Sequence, residues 1–267
     1  MDLFESPQTP RVAEEVSVAA AVSDAVSGLV RNAGPWLAVL VAEFVLSLLG
    51  FVTLLGWVVV WPILYWGMQA FALRAIDGPA PFRALFDGTK NLETTMSRMW
   101  GLSIIAGVAY LMLSIVPSIA IGFPELLALA EGGELGDVVP AVKARIVDLL
   151  VLLLLVRFEL VLPLIVERGK PVLESITESW RLTAPHWPTL VGILLLHTLL
   201  SLPSLVLGIG MGRMIPDDFD LGVITQNLSA LSGGYLGMLV TSTFANVFYL
   251  MCMTSVFRRL LGPAPPR

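Results

Sequence analysis

The amino-acid sequence predicts an all-α integral membrane protein: six transmembrane helices in three hairpins, each hairpin preceded by a cytoplasmic interfacial amphipathic helix. Three observations predict this fold class. The chain is 56% hydrophobic and only 14% charged, with a mean hydropathy of +0.83, which leaves too little polar surface for a soluble domain of 267 residues. Several apolar runs approach or exceed the ~20 residues that cross a bilayer as a helix. Basic residues are concentrated in alternate connections between these runs.

The apolar runs predict spans at about residues 36–55, 57–76, 100–121, 144–166, 187–209 and 233–257. Runs such as "LLVLLLLVRFELVLPLIV" lack the alternation that strands of a membrane β-barrel show, so each span is expected to be a helix. Kinks are expected where a proline inside a span removes a backbone hydrogen bond, at Pro62, Pro117, Pro163 and Pro203.

The basic residues predict the orientation of the chain. Twelve of the 16 Lys and Arg residues lie in the N-terminal segment, in the connections after spans two and four, and in the C-terminal tail. Three lie on the opposite side, where the connections are acidic, and Arg157 lies inside a span. Under the positive-inside rule, this bias places both termini in the cytoplasm.

Each predicted hairpin is introduced by the same pattern: an amphipathic stretch, a basic residue or histidine, and a tryptophan. The apolar stripes are Val18, Val22, Val26 and Leu29 in the first unit; Phe82, Phe86, Thr89, Leu92 and Met96 in the second; and Val172, Leu173, Ile176 and Trp180 in the third. We interpret them as three degenerate repeats, residues 12–76, 81–166 and 170–257, within one membrane domain of residues 1–267. A short tail rich in proline and arginine, residues 258–267, follows.

Aromatic side chains at the junctions of surface helices and spans are candidate interfacial anchors. An amphipathic ring is favoured at the depth of the lipid headgroups. The predicted anchors are Trp36, Trp100, Trp180, Trp187 and His186.

Charged residues inside the spans form a candidate functional cluster. Glu43, Arg157 and Glu159 each cost about 2.5–3.5 kcal/mol in hydrocarbon, so they are expected to face a partner or water. We hypothesise that Arg157 pairs with Glu43, while Glu159 faces a different polar environment. The predicted intramembrane polar cluster comprises Glu43, Arg157, Glu159, Gln69, His197 and Asn246.

Two segments resemble a bacterial group of polytopic membrane proteins that includes the membrane domain of some glycerophosphodiester phosphodiesterases. The first is "LVLPLIVERGKPVLESITESWRLTAPHWPTLVGILLL", with a proline near the end of a span, an acidic turn, an "SWxLT" helix and a tryptophan at the next span. The second is "LYWGMQAFALRAIDGPAPFRALFDG". The resemblance implies a multi-pass protein of the bacterial cytoplasmic (inner) membrane. It supplies no catalytic residues, and the chain has no soluble phosphodiesterase domain. "TAPHW" departs from the pattern, which has a Gly or Asn near the tryptophan.

The sequence favours a protein without catalytic activity. It has no HExxH pair, no GxSxG motif and no dense aspartate motif, and "GIGMG" at residues 208–212 lacks the spacing of a dinucleotide fingerprint. We therefore expect no catalytic residues, no metal site and no cofactor. The basic clusters are short and explained by topology, so no nucleic-acid partner is expected.

Two classes of function remain open at this point. In the first, the protein is a non-enzymatic membrane scaffold or accessory protein that binds lipid or a partner, either another membrane protein or a second copy of the chain. In the second, it is a transporter, channel or lipid-translocating protein with a polar site around Glu43, Arg157 and Glu159. A continuous polar cavity between spans one and four would favour the second class, and a dry core the first.

Overall fold

A computed structural model describes residues 16–52, 59–112, 153–212 and 228–263 of the chain. The described residues form helices joined by short connections, and they contain no β-strand. The α-helices are α1 (Val18–Arg31), α2 (Ala33–Val52), α3 (Trp61–Asp77), α4 (Leu92–Tyr110), α5 (Val161–Arg168), α6 (Val172–Thr183), α7 (Trp187–Gly212) and α8 (Leu228–Leu261). The all-helical class is thus confirmed for the described residues.

Two helical stretches are long and apolar enough to cross a membrane, Val172–Gly208 and Gly233–Leu261. A third exists if α1 and the first part of α2 count as one broken span, since Val18–Arg31 and Ala33–Ala42 meet at 88°. The arrangement of six spans in three hairpins stays a prediction, because residues 53–58, 113–152 and 213–227 lie outside the described part of the chain.

The hydrophobic core surrounds the C-terminal half of α8. This helix packs along α7 and also against α1, α2 and α3. Its core side chains include Met251, Val256 and Phe257, all fully buried. Small residues of α1, among them Ala21, Ala25 and Gly28, allow α1 to approach α8 closely, and a Cβ added at Gly28 would collide with the end of Met251.

The second predicted surface helix differs from the expectation. A 3-10 helix, Phe82–Thr89, is followed by two turn residues, and α4 begins only at Leu92. The predicted apolar stripe from Phe82 to Met96 therefore lies on two elements. The 3-10 helix packs on α3 at Gly67, where an added Cβ would overlap the Leu85 carbonyl group. Gly67, the first glycine of the second resembling segment, thus has a packing role.

The predicted fourth span is broken within its described part. A 3-10 turn, Val156–Phe158, and two turn residues precede α5, so residues 153–168 are not one continuous α-helix. Pro163 explains the position of the break, because it has no N–H to donate and its ring clashes with the carbonyl group four residues earlier, that of Glu159. Residues 157–160 are called the Pro163 break below.

The third predicted surface helix, α6, follows α5 through a tight turn. Gly169 ends α5 with a left-handed φ of 67°, which glycine adopts without strain. From Val172 onward every residue up to the end of α7 is helical, with a 3-10 turn at Ala184–His186. The segment predicted as a surface helix therefore continues into the predicted fifth span without a non-helical residue.

Candidate functional site

The Pro163 break is held by α6. The hydroxyl groups of Ser179 and Thr183 donate to the Arg157 carbonyl oxygen over 2.7 and 3.2 Å. Both residues are fully buried. A broken helix leaves carbonyl groups without helical partners, and an unpaired carbonyl in an apolar environment is costly. The serine and threonine of "SWRLT" therefore stabilise the break, a role that the sequence reading of α6 as an amphipathic surface helix did not include.

The Arg157 side chain also binds α6. Its guanidinium carbon lies 3.8 Å from the centre of the Trp180 ring, and its Nη2 donates to the Trp180 carbonyl oxygen over 2.8 Å. The Phe158 ring also packs against Trp180, with the two ring centres 5.4 Å apart. The charge is thus met by a cation–π contact and a carbonyl group. The side chain of Glu43 lies outside the described residues, so its predicted pairing with Arg157 stays a prediction.

Glu159 faces a cavity of about 360 Å³ on the other side of the break. Four elements form its walls: α3, α4, the segment from Leu155 through the start of α5, and α8. The walls are largely apolar, and their polar side chains are Tyr65, Gln69, Ser103, Glu159, Asn246 and Tyr249. We call this space the Glu159 cavity.

The polar groups of the Glu159 cavity are only partly satisfied by the protein. Gln69 donates to the Thr254 hydroxyl over 3.1 Å. The Tyr249 hydroxyl lies beside the Glu159 carboxyl group but is buried without a hydrogen bond of ordinary geometry to any described residue. Asn246 is exposed and makes no hydrogen bond to another described residue through its side chain. No lysine, arginine or histidine lines the cavity. The arrangement is suited to a guest that donates hydrogen bonds to a carboxyl group.

Three of the six predicted cluster residues meet at this cavity: Glu159, Gln69 and Asn246. His197 lies behind Tyr249, with the ring centres 4.7 Å apart, and its Nδ1 is 3.2 Å from the Ala245 carbonyl oxygen. It is therefore a neighbour of the cavity rather than part of its wall. Tyr249, Tyr65 and Ser103 were not predicted; a tyrosine on an apolar helix gives no periodic signal that distinguishes it from core aromatics.

The predicted anchors fall into two groups. Trp100, Trp180 and Trp187 are 37%, 41% and 40% exposed, and their role as interfacial anchors stays a prediction. Trp187 also donates from Nε1 to the Leu153 carbonyl oxygen over 3.1 Å, and His186 is half-buried. Trp36 differs: it is 3% exposed and packs edge-on against Phe71, with ring centres 4.8 Å apart.

Basic residues bind helix C-termini at the end of the molecule where α1, α3, α5 and α8 finish. Arg31 donates to the carbonyl oxygens of Ala75 and Ile76, and Arg168 to those of Leu261 and Gly262. Cations at helix C-termini are stabilised by the exposed carbonyl groups. We call this region the capped end. Arg31 and Arg168, which contribute to the basic-residue bias that predicts the membrane orientation, therefore also have a local structural role.

Carboxylates complete the capped end. Arg258 pairs with Glu167 and, over 2.7 Å, with Asp77, while Arg259 pairs with Asp24 over 2.8 Å. Burial raises the pKa of Asp77, and the neighbouring Arg258 opposes that rise. The ion pairs link α1, α3 and α5 to the C-terminal turn of α8.

Asn32 joins three parts of the capped end, and the sequence reading missed it. It is 2% exposed. Its amide nitrogen donates to the carbonyl oxygens of Gly28, Ala75 and Gly78, at 2.9, 3.4 and 3.2 Å, and its oxygen accepts from the Ala80 N–H at 2.7 Å. One side chain thereby ends α1 and fixes the chain after α3.

Among the described residues no group of three His, Cys, Asp or Glu side chains is arranged to hold a metal ion. Comparison with known proteins adds no assignment: no family model matches the chain, and neither a curated protein nor a solved structure does.

Proposed function

We propose that this chain is a non-enzymatic membrane protein that binds an amphiphilic molecule, with the polar group of that molecule in the Glu159 cavity. The observation that carries the proposal is the gathering of Glu159, Gln69, Asn246 and Tyr249 around one space with otherwise apolar walls. Ligand sites combine apolar walls with a few converging polar groups in this way. Glu159 has no cation beside it in the cavity wall, which favours a guest with an amine or another strong hydrogen-bond donor.

The exposed apolar surface supports a location in the membrane. Leu173 is 70% exposed, Leu199 is 61% exposed and Val206 is 66% exposed, on a helical run that is long enough to cross a bilayer. We further propose six spans in the bacterial inner membrane, with both termini in the cytoplasm, on the strength of the basic-residue bias. Reporters fused within residues 89–95 and within residues 131–137 should then report opposite sides of the membrane.

The experiment that tests the binding proposal compares three probes of equal chain length: dodecylamine, dodecanol and dodecanoate. The purified protein is placed in lipid nanodiscs, and native mass spectrometry measures the bound fraction of each. Dodecylamine should bind at least about tenfold more tightly than dodecanoate, because a hydrogen bond to a charged group contributes about 1.5–3 kcal/mol. Glu159→Gln should remove most of that preference.

Ser204→Ala is the matched control. It also removes a polar side chain that lies between helices, but Ser204 of α7 donates to the Met238 carbonyl oxygen of α8 and does not line the cavity. Its preference for the amine should equal that of the wild type. Equal binding of all three probes, or an amine preference that survives Glu159→Gln, would contradict the proposal.

A transporter or lipid-translocating protein is the second candidate, and the Pro163 break favours it. Helices broken near a polar site are a recurrent feature of secondary transporters. In proteoliposomes, a translocating protein would move a labelled alkylamine between leaflets at a rate that falls in Glu159→Gln. A binding protein of the first kind would retain the amine without changing that rate.

A further inference from the structure

A second cavity lies where α4 begins, at the end of α5. It measures about 360 Å³, and its polar lining consists mainly of Asn91, Thr94, Thr95, Arg98 and Arg168, with Asp87 at one side. None of these residues lines the Glu159 cavity. In contrast to that cavity, the lining here contains two guanidinium groups.

The first turn of α4 contributes free backbone donors to this cavity. Asn91 occupies the N-cap position, but its side chain makes no capping hydrogen bond. The first intrahelical bond runs from the Thr95 N–H to the Asn91 carbonyl oxygen over 2.9 Å, so the N–H groups before Thr95 have no helical partner. The N-terminus of a 19-residue helix carries a partial positive charge as well. Glu93, the acidic residue of this turn, is exposed and is not part of the cavity lining.

Thr95 gives independent support for a ligand. It is 2% exposed and lines the cavity, yet its hydroxyl makes no hydrogen bond to another described residue. Most threonines on the described helices bind a carbonyl group of the preceding turn, as Thr177, Thr198 and Thr241 do. An unpartnered hydroxyl of a buried residue that lines a cavity is the kind of group that a ligand completes.

The charges at the cavity favour an anion. Arg98 makes no ion pair or hydrogen bond to another described residue. Arg168 lines the same space, its Nη2 binds the end of α8, and its Nε lies 3.9 Å from a Glu167 carboxylate oxygen. Asp87 does not cancel these charges, because it is already paired with Arg74 and Lys90. Guanidinium, hydroxyl and helix N-terminal N–H groups together match the oxygens of a phosphate group.

We infer that the cavity at the start of α4 binds a phosphate group, either as free phosphate or as the headgroup of a phosphate-bearing lipid. Arg98 and Thr95 bind the phosphate oxygens together with the first-turn N–H groups of α4. The site does not depend on the proposed function of the Glu159 cavity, since the two share no residue.

Two measurements distinguish the sources of the phosphate. Inorganic phosphate is titrated into the protein in dodecyl maltoside micelles by calorimetry. Nanodiscs of phosphatidylcholine, with and without phosphatidic acid, are compared by native mass spectrometry for retained phosphatidic acid. Binding of inorganic phosphate assigns the site to a free phosphate, and retention of phosphatidic acid alone assigns it to a lipid headgroup; both outcomes support the inference. Binding of neither probe overturns it.

The variants test the residues. Arg98→Gln and Thr95→Val should each weaken the observed binding by about tenfold or more, as expected when a charged or buried donor to an anion is removed. Thr95→Ser keeps the hydroxyl and should bind as the wild type, which separates lost binding from lost folding. Arg83→Gln removes an exposed arginine that does not line the cavity and should have no effect. An equal loss in Arg83→Gln and Arg98→Gln overturns the inference. Glu159→Gln should leave phosphate binding unchanged, so failure of this site and failure of the Glu159 cavity give different results.

Discussion

The capped end and the Glu159 cavity both collect polar side chains between helices, but they differ in how completely those side chains are paired. At the capped end Asn32 makes four hydrogen bonds, and Arg258 binds two carboxylates and the Leu73 carbonyl oxygen. In the cavity the Tyr249 hydroxyl has no partner of ordinary geometry among the described residues, and the Asn246 side chain has none. Polar groups whose partners are all inside the protein stabilise the fold. Polar groups that still need a partner are available to a ligand.

The Pro163 break combines features of both regions. On one side, its Arg157 carbonyl oxygen is satisfied by Ser179 and Thr183. On the other side, its Glu159 carboxyl group faces the cavity. Contacts with α6 therefore fix the geometry of the break, while the Glu159 carboxyl group on the break remains available to a ligand in the cavity. This contrast predicts where substitutions unfold the protein and where they only change binding.

The largest expected effect is at Asn32. Replacing it by alanine leaves the Ala80 N–H and the Gly78 carbonyl oxygen without their partner, and buried orphaned groups cost about 1–3 kcal/mol each. We expect Asn32→Ala to lower the free energy of unfolding by about 3 kcal/mol or more, measured by denaturant titration in detergent micelles.

Asn91→Ala is the matched control, because Asn91 also directly precedes a helix but is exposed and makes no capping bond. Its free energy of unfolding should change by less than about 0.5 kcal/mol. Similar losses in the two variants would mean that the four bonds of Asn32 do not stabilise the capped end.

An intermediate effect is expected at the hydroxyl groups that hold the Pro163 break. The double substitution Ser179→Ala with Thr183→Val removes both donors to the Arg157 carbonyl oxygen and should cost about 2 kcal/mol of unfolding free energy. Ser175→Ala should cost less than about 1 kcal/mol. Ser175 is equally buried on the same face of α6, but it donates only to the Pro171 carbonyl oxygen of its own turn. Thermal unfolding of both variants, followed by circular dichroism in micelles, decides whether the break needs support from α6.

Arg157 illustrates how much of this arrangement the sequence could predict. Composition gave the helical class, and Pro163 predicted a kink in the segment that the structure breaks. The contact of Arg157 with Trp180 was not predictable from a pattern that indicates one continuous span. The break brings the long side chain to Trp180, 23 positions away, while the pairing with Glu43 stays a prediction. The contact depends on a tight turn at Gly169 that folds α6 back on the break.

The hydroxyl stripe of α6 did leave a signal in the sequence. Ser175, Ser179 and Thr183 are spaced by four residues, which puts them on one helical face. The apolar stripe on the same helix is the more prominent pattern, and the structure leaves Leu173 and Trp180 exposed while the hydroxyl face is buried. Asn32 left no such signal, because its partners lie up to 48 residues away in the sequence. A single asparagine between two helices looks like any other residue of a short loop.

Apart from the control variants, the smallest expected effect on stability is at Glu159. Replacing a glutamate by glutamine both at the capped end and in the Glu159 cavity tests the contrast between the two regions. Glu167→Gln at the capped end removes the buried partner of Arg258, which is 10% exposed, and should lower the free energy of unfolding by about 2 kcal/mol. Glu159→Gln removes a carboxyl group that has no cation beside it in the cavity wall, so no ion pair is lost there and the desolvation of a charge is relieved. Its unfolding free energy should stay within about 1 kcal/mol of the wild type, or rise.

Both variants are measured in micelles free of added amphiphile, because a bound guest would itself stabilise the wild type. A loss in Glu159→Gln as large as that in Glu167→Gln would show that Glu159 holds the fold together, and the Glu159 cavity would then be a structural feature instead of a binding site.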